Sequence, residues 1–269
     1  MTSPQDAWSD KNDLRWYTFQ KRDYLSVTSL RKVLGMPYNL HRWSMKQLLD
    51  VVMANPAVLD RGEKKGKPET DANIRGRVGR LSMESRDVSA ERGTAVHEAI
   101  SEGIPMADLD LELQPFMESY ASAVIALGIS PILTEQQVFN DTYGYAGSFD
   151  LFASVRAKAG KKTVIDLKTG KGTYSDHALQ GMAYLMGEFI GADNKVLHPE
   201  TAAFKEASGV AILHLHPGVG AGWTYHDVDI SVRLIQAFKA EAVLARWMVD
   251  FPTIETLEVV VRSSRQEVK

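Results

Sequence analysis

An acid and a lysine, Asp166 and Lys168, stand two apart in the run KKTVIDLKTGK, residues 161–171. On a strand, side chains at i and i+2 share a face, so Val164, Asp166 and Lys168 point one way and Ile165 and Leu167 the other. Two readings fit. One is a solvated edge strand. The other is a metal-dependent nuclease site, in which a carboxylate holds a divalent cation and an ammonium group sits beside the attacking water. Spacing alone does not choose, because Glu63-Lys64-Lys65 and Asp193-Asn194-Lys195 share it. Of these three, only 166–168 lies on an apolar strand that would hold its side chains still.

Neighbouring segments add groups of the right type. YAGSFDLFA (145–153) puts Asp150 on the preceding strand, on one face with Ala146, Ser148, Phe152 and Ser154. Antiparallel pairing brings Asp150 beside Asp166, where two carboxylates repel unless a cation lies between them or water screens them. Hard oxygen ligands with open positions suit Mg²⁺ or Mn²⁺. In RGTAVHEAI (92–100), Gly93 and His97 are i, i+4 on a helix, so a bare backbone lies where the imidazole projects. Taken alone, His97 reads as an ordinary core or surface histidine. Gln180 and Tyr184 are also i, i+4, off the apolar stripe Leu179, Met182, Ala183, Met186 and Ile190, and alone read as a polar helix face. Glu135 opens a strand and faces the same way as Gln137 and Phe139. His214 and His216 share a strand face and read as surface histidines. No Gly-x-Ser-x-Gly elbow, phosphate loop or strand-following Gly-x-Gly-x-x-Gly occurs.

These groups need a scaffold. The first ~55 residues read as helical and aromatic-rich, with Thr28 or Ser29 capping a short helix that stops at Gly35-Met36-Pro37. Asn39 would cap the next, ending before Asn55-Pro56. Residues 61–80 hold seven Lys/Arg against three Asp/Glu; they read as a flexible basic loop, either a solvated linker or a contact for a phosphate backbone. Helices follow from Asp87 or Ser89 to Gly103 and from Gln114 to Leu127. Three consecutive strands fit 131–140, 145–157 and 162–168, then a helix 175–191, strands 209–217 and 222–230, and a helix 230–249. The fold class is therefore α+β of the three-layer type, a mixed central sheet flanked by helices. The division expected is a helical N-terminal region 1–86, a core 87–252 and a frayed tail 253–269.

Composition narrows the function. A chain of 269 residues, 44% hydrophobic, buries a full core. A net charge of −3 argues against a polybasic DNA-coating protein. With no cysteine, disulfides, thiolate zinc and iron–sulfur clusters are excluded. No apolar run reaches membrane-span length, and MTSPQDAWSDKNDLRW lacks a signal-peptide core, so a cytoplasmic location is expected.

Taken in order, Gly93-x-x-x-His97, Glu135, Gly147-x-x-Asp150, Asp166-x-Lys168 and Gln180-x-x-x-Tyr184 resemble the RecB-type branch of the PD-(D/E)XK nucleases. A freestanding chain of this size with a helical start looks like the CRISPR-associated-type exonucleases encoded by bacteriophages, which would place it in the host cytoplasm. The resemblance spans about 93–184. It implies a restriction-endonuclease-like core and a Mg²⁺- or Mn²⁺-dependent DNA exonuclease serving phage recombination, replication or repair. It also implies that His97, Asp150, Asp166 and the Leu167 carbonyl ligate the metal. Lys168 would orient the water and stabilise the transition state. Glu135 would be an acid for a second metal or its water, and Gln180 and Tyr184 would hold DNA or brace Lys168. Many CRISPR-associated relatives carry four cysteines for an iron–sulfur cluster; here no cluster is expected. Any helicase or recombinase partner would be a separate chain, and an oligomer is compatible. The competing readings are a structure-specific endonuclease and a non-catalytic DNA-binding recombination accessory protein on the same fold.

Overall fold

The structure is a computed structural model and describes residues 7–10, 12–35, 38–64 and 67–251. Its N-terminal part is a meander of β1 (Ala7–Ser9), β2 (Arg15–Phe19) and β3 (Arg22–Ser26), followed by α1 (Val27–Val33) and α2 (Tyr38–Ala54). A two-residue ladder, β4 (Glu63–Lys64) with β5 (Lys67–Pro68), precedes the long α3 (Asp71–Glu102), and α4 (Gln114–Leu127) comes next. Then the three long strands run consecutively: β6 (Ile129–Asn140), β7 (Tyr145–Val155) and β8 (Lys161–Lys168). The chain closes with α5 (Ser175–Leu185), β9 (Phe189–Ala192), β10 (Lys195–Val196), α6 (His198–Phe204), β11 (Gly209–Leu215), β12 (Trp223–Asp227) and α7 (Val232–Asp250).

All strands but β4 and β5 belong to one mixed sheet, and helices cover both of its faces. Alternation along the strands sorts side chains between two cores. Phe152 and Val164 pack with Leu30 of α1, Met182 of α5 and Phe238 of α7. Leu151, Ala153, Ile165 and Leu167 pack with Val96 of α3 and Ala123 of α4. The expected split of Val164 from Ile165 and Leu167 is therefore present.

The sheet forks at β7. Its N-terminal end pairs in parallel with β3 at Tyr145 and Ala146, and its C-terminal end pairs antiparallel with β8 from Leu151 to Val155. Between those partners the edge at Gly147–Asp150 carries neither strand. Gly147 is bare because α1 and α5 close on it. A Cβ there would stand 2.8 Å from Tyr184 Cε1 and 2.9 Å from Val27 Cγ2. Gly147→Ala should cost about 1–3 kcal/mol and lower the thermal midpoint by roughly 3–10 °C. An unchanged melting curve would show that the Tyr184 ring yields freely.

Four expectations differ from the structure. The N-terminal region is not all helical: residues 7–26 form strands, with Trp16, Tyr17 and Phe19 buried. Their hairpin turns through Gln20 and Lys21 at φ of +47° and +66°, without the glycine or asparagine that normally marks such a turn. Asn194 Oδ1 braces it by accepting from the Gln20 N–H at 2.8 Å. The basic segment is a loop only in part. Thr70 caps α3, which starts at Asp71 and ends on Gly103 at φ +64°, so position 86 lies inside a continuous helix. Arg77 ties that helix back to the Val58 and Asp60 carbonyls and to Glu69. Finally, α5 stops at Leu185 rather than 191, and residues 189–192 return as β9, with Ile190 opposite Val138 of β6. The tail 253–269 lies outside the described residues.

Candidate metal and phosphodiester site

The fork collects the polar groups. Asp150 is the residue just before β7 meets β8, and the register Leu151↔Ile165 puts it across from Asp166. Its carboxylate uses both oxygens: Oδ2 accepts the Leu167 N–H at 2.6 Å, and Oδ1 lies 3.2 Å from His97 Nδ1. An ionised carboxylate only accepts, so Nδ1 carries the proton. His97 arrives from α3, whose close approach is permitted at Gly93; a Cβ there would sit 3.1 Å from Thr169 Oγ1. The glycine thus accommodates the residue that follows Lys168.

Glu135 reaches the same place from β6. It lies mid-strand rather than at the strand's start, between the pairs Thr134↔Leu151 and Gln136↔Phe149, which puts it opposite Asp150. Its φ of +49° is a left-handed conformation that costs a non-glycine residue about 1–3 kcal/mol. That twist re-aims its carboxylate, which accepts a hydrogen bond from Ser148 Oγ at 3.4 Å. Ligand atoms of His97, Glu135 and Asp150 all lie within 4.8 Å of one another.

Asp166 is 1% exposed and stands apart from that trio; its Oδ2 lies 2.6 Å from Lys168 Nζ. That atom is fully enclosed and has no hydrogen bond of good geometry, which leaves the ammonium as the counter-charge in contact with it. Gln180 Nε2 donates to Tyr184 Oη at 2.8 Å. Tyr184 is buried in the core rather than on a polar helix face. The helix turns it inward over Gly147, where the missing side chain leaves room for the ring. His214 is also buried, contrary to the surface reading: it pairs with Lys168 in the β8–β11 register, and its Nε2 meets the Gly170 carbonyl oxygen at 2.7 Å. His216 instead meets Thr224 Oγ1 at 2.7 Å.

No known family model matches the chain, and no curated protein does. Among solved structures, the crystal structure of LHK-Exo in complex with dAMP is similar at 11% identity and a TM-score of 0.41, covering 87% of this chain and 90% of that one. Likeness at that level is too low to carry an assignment. The chemistry has to be read from the groups themselves.

Their charges interact strongly. Burial and the Asp150 charge push Glu135 up to about 7. Burial pushes Asp166 up to about 6 despite Lys168, and Asp150 adds to the rise. Burial works against Asp150 too, but His97, Lys168 and the Leu167 N–H hold it below the usual carboxylate range. Burial also opposes the His97 imidazolium, yet Asp150 outweighs it and the imidazole titrates above its ordinary value. Burial first, and then the Asp150 charge, drive Glu135 and Asp166 toward protonation, an effect that a divalent cation held at the site would reverse. The N/O donor set of His97, Glu135 and Asp150 fits a divalent cation.

The sign of the pH effect follows. Between about 4.5 and about 7 the folded protein keeps a proton on Glu135 that the unfolded chain releases, so this group makes stability fall as pH rises. Metal-free Glu135→Gln should therefore lose less of its thermal midpoint than wild type across that interval. His177, lowered to about 4 by burial and then by Lys168, contributes the opposite slope to both proteins and cancels in the difference. Parallel curves would place Glu135 away from the other charges.

An open cleft of about 480 Å³ lies over the fork, lined by His97, Glu135, Ser148, Asp150 and Tyr184, and by Arg15 and Tyr17 of β2. The last two escaped the sequence reading. Nothing in the spacing of residues 15–17 announces that this hairpin joins the main sheet.

Proposed function

We propose that this chain is a metal-dependent nuclease that hydrolyses DNA phosphodiester bonds from strand ends. The observation that supports it best is Asp150, which joins an imidazole, a second carboxylate and a backbone N–H at a gap in the sheet edge, one strand from the Asp166–Lys168 ion pair. His97, Asp150 and Glu135 would hold the cation, with Asp166 and the Leu167 carbonyl facing it from β8. When bound, Mg²⁺ or Mn²⁺ supplies Lewis acidity at the phosphate and lowers the pKa of water.

The protein's own groups do the rest. Asp166 fixes Lys168 Nζ, so the ammonium needs no reorganisation as negative charge grows on the phosphoryl oxygens. That ammonium also orients the attacking water. Asp150, held by His97 and the Leu167 N–H, keeps its charge through the neutral range, and Glu135 would give up its proton as the cation binds. Gln180, through Tyr184, keeps the floor of the cleft in place beneath the DNA strand.

The test is digestion of end-labelled linear DNA and of covalently closed circles, with Mg²⁺, with Mn²⁺ and with chelator. Cation-dependent loss of the linear substrate alone is expected. Cutting of circles would make the chain an endonuclease. Metal-independent binding without cleavage would make it an accessory DNA-binding protein.

A further inference from the structure

The cleft has an unbalanced wall. Among the described residues its lining includes the acids Glu102, Glu135, Asp150 and Asp193, and Arg15 is the one permanently charged basic residue. A polyanion entering here meets these acids, and the guanidinium offers it a fixed positive charge beside the metal site. Among the described residues Arg15 forms no ion pair with any of these acids. Its Cζ instead lies 5.2 Å from the centroid of the Tyr17 ring, a contact that orients a guanidinium without consuming its charge. Tyr17 is itself fixed, 97% buried and packed edge-on to Phe139 at 6.5 Å. The strand carrying both residues is tied to α1 by the Arg15 N–H, which donates to Ser29 Oγ at 2.7 Å.

We propose that Arg15 is a strand-positioning residue that grips a phosphate of the DNA beside the one being cleaved, in the cleft that His97, Glu135 and Asp150 also line. This rests on the nuclease reading for the identity of the ligand. A guanidinium fork matches two phosphate oxygens at once, which an ammonium does not. A cleft of about 480 Å³ is the size of a small-molecule pocket, so the segment gripped is one strand rather than a duplex. The N-terminal hairpin then has a role beyond extending the sheet: it brings a permanent positive charge into the cleft.

The test is binding of a fluorescent single-stranded oligonucleotide in Ca²⁺, followed by anisotropy over a range of salt concentrations. Alongside it, KM and kcat are measured in Mg²⁺. Arg15→Gln keeps the stem over Tyr17 and removes the charge. It should weaken binding ~10-fold or more, flatten the salt dependence by about one counterion, and raise KM more than it lowers kcat. Arg15→Lys should restore the salt slope and only part of the affinity. If Arg15→Gln binds within twofold of wild type with the same slope, the proposal is overturned. The binding arm reads Arg15 whether or not DNA is cut. Failure of the wild type to hydrolyse DNA in any divalent ion overturns the nuclease reading separately.

Discussion

Lys168→Ala should lower hydrolysis of end-labelled linear DNA by ~10²–10³-fold, the range for removing one preorganised charge that faces a transition state. Mn²⁺ affinity, measured by calorimetry, should stay within about threefold, because Lys168 is not among the grouped donors His97, Glu135 and Asp150. The variant also tests the Asp166 contact. With the ammonium gone, Asp166 Oδ2 is an enclosed oxygen that has lost the counter-charge in contact with it, leaving His97 to oppose burial, so its carboxyl should rise above about 6. A raised carboxyl destabilises as pH increases toward its folded pKa, because the unfolded chain has already given up that proton. The melting temperature of Lys168→Ala should therefore trail wild type by more at pH 8 than at pH 5. A variant digesting DNA at the wild-type rate would remove Lys168 from the chemistry.

Asp150→Asn is expected to have the broader effect. Asparagine keeps an acceptor for the Leu167 N–H but removes the charge that His97, Glu135 and Asp166 all feel. Divalent-ion affinity should fall ~10–100-fold and cleavage should be lost with it. Titration offers an independent readout. Without the neighbouring charge, Glu135 should fall below about 7 while burial, the larger cause, keeps it above 4.5, and His97, no longer stabilised as imidazolium, should titrate lower. Carboxyl and imidazole NMR shifts follow both. If Asp150→Asn binds Mn²⁺ like wild type and leaves Glu135 at about 7, then Asp150 is not the hub of the cluster.

The long strands and their charges were legible in the sequence because alternation and turn residues agree there. Val164 and Ile165 face opposite cores, and the antiparallel order of the strands at 129–140, 145–155 and 161–168 follows from their short connections. The N-terminal hairpin was hidden by its turn. Gln20 and Lys21 adopt positive φ because Asn194, 174 residues away, supplies the hydrogen bond, so a tertiary contact stands in for the missing glycine. The end of α5 was hidden by periodicity. Leu179, Met182, Ala183, Met186 and Ile190 keep helical spacing, yet Gly187 presses so close to Val138 that a Cβ would overlap its Cγ2, and the chain leaves the helix there to pair with β6. Glu135 combined both problems. Its position on a strand could be read, but its left-handed backbone, which aims it at Asp150, has no signature in residue type.

The interval in the ladder along β7 has a geometric consequence. Four residues, 147–150, separate the stretch held by one neighbour from the stretch held by the other, roughly 13 Å of chain at the usual rise per strand residue. The aperture is thus measured out in peptide units, between two ranks of backbone hydrogen bonds. Side-chain replacement around its rim can change what is gripped there, but the span itself is set by the spacing of the main chain.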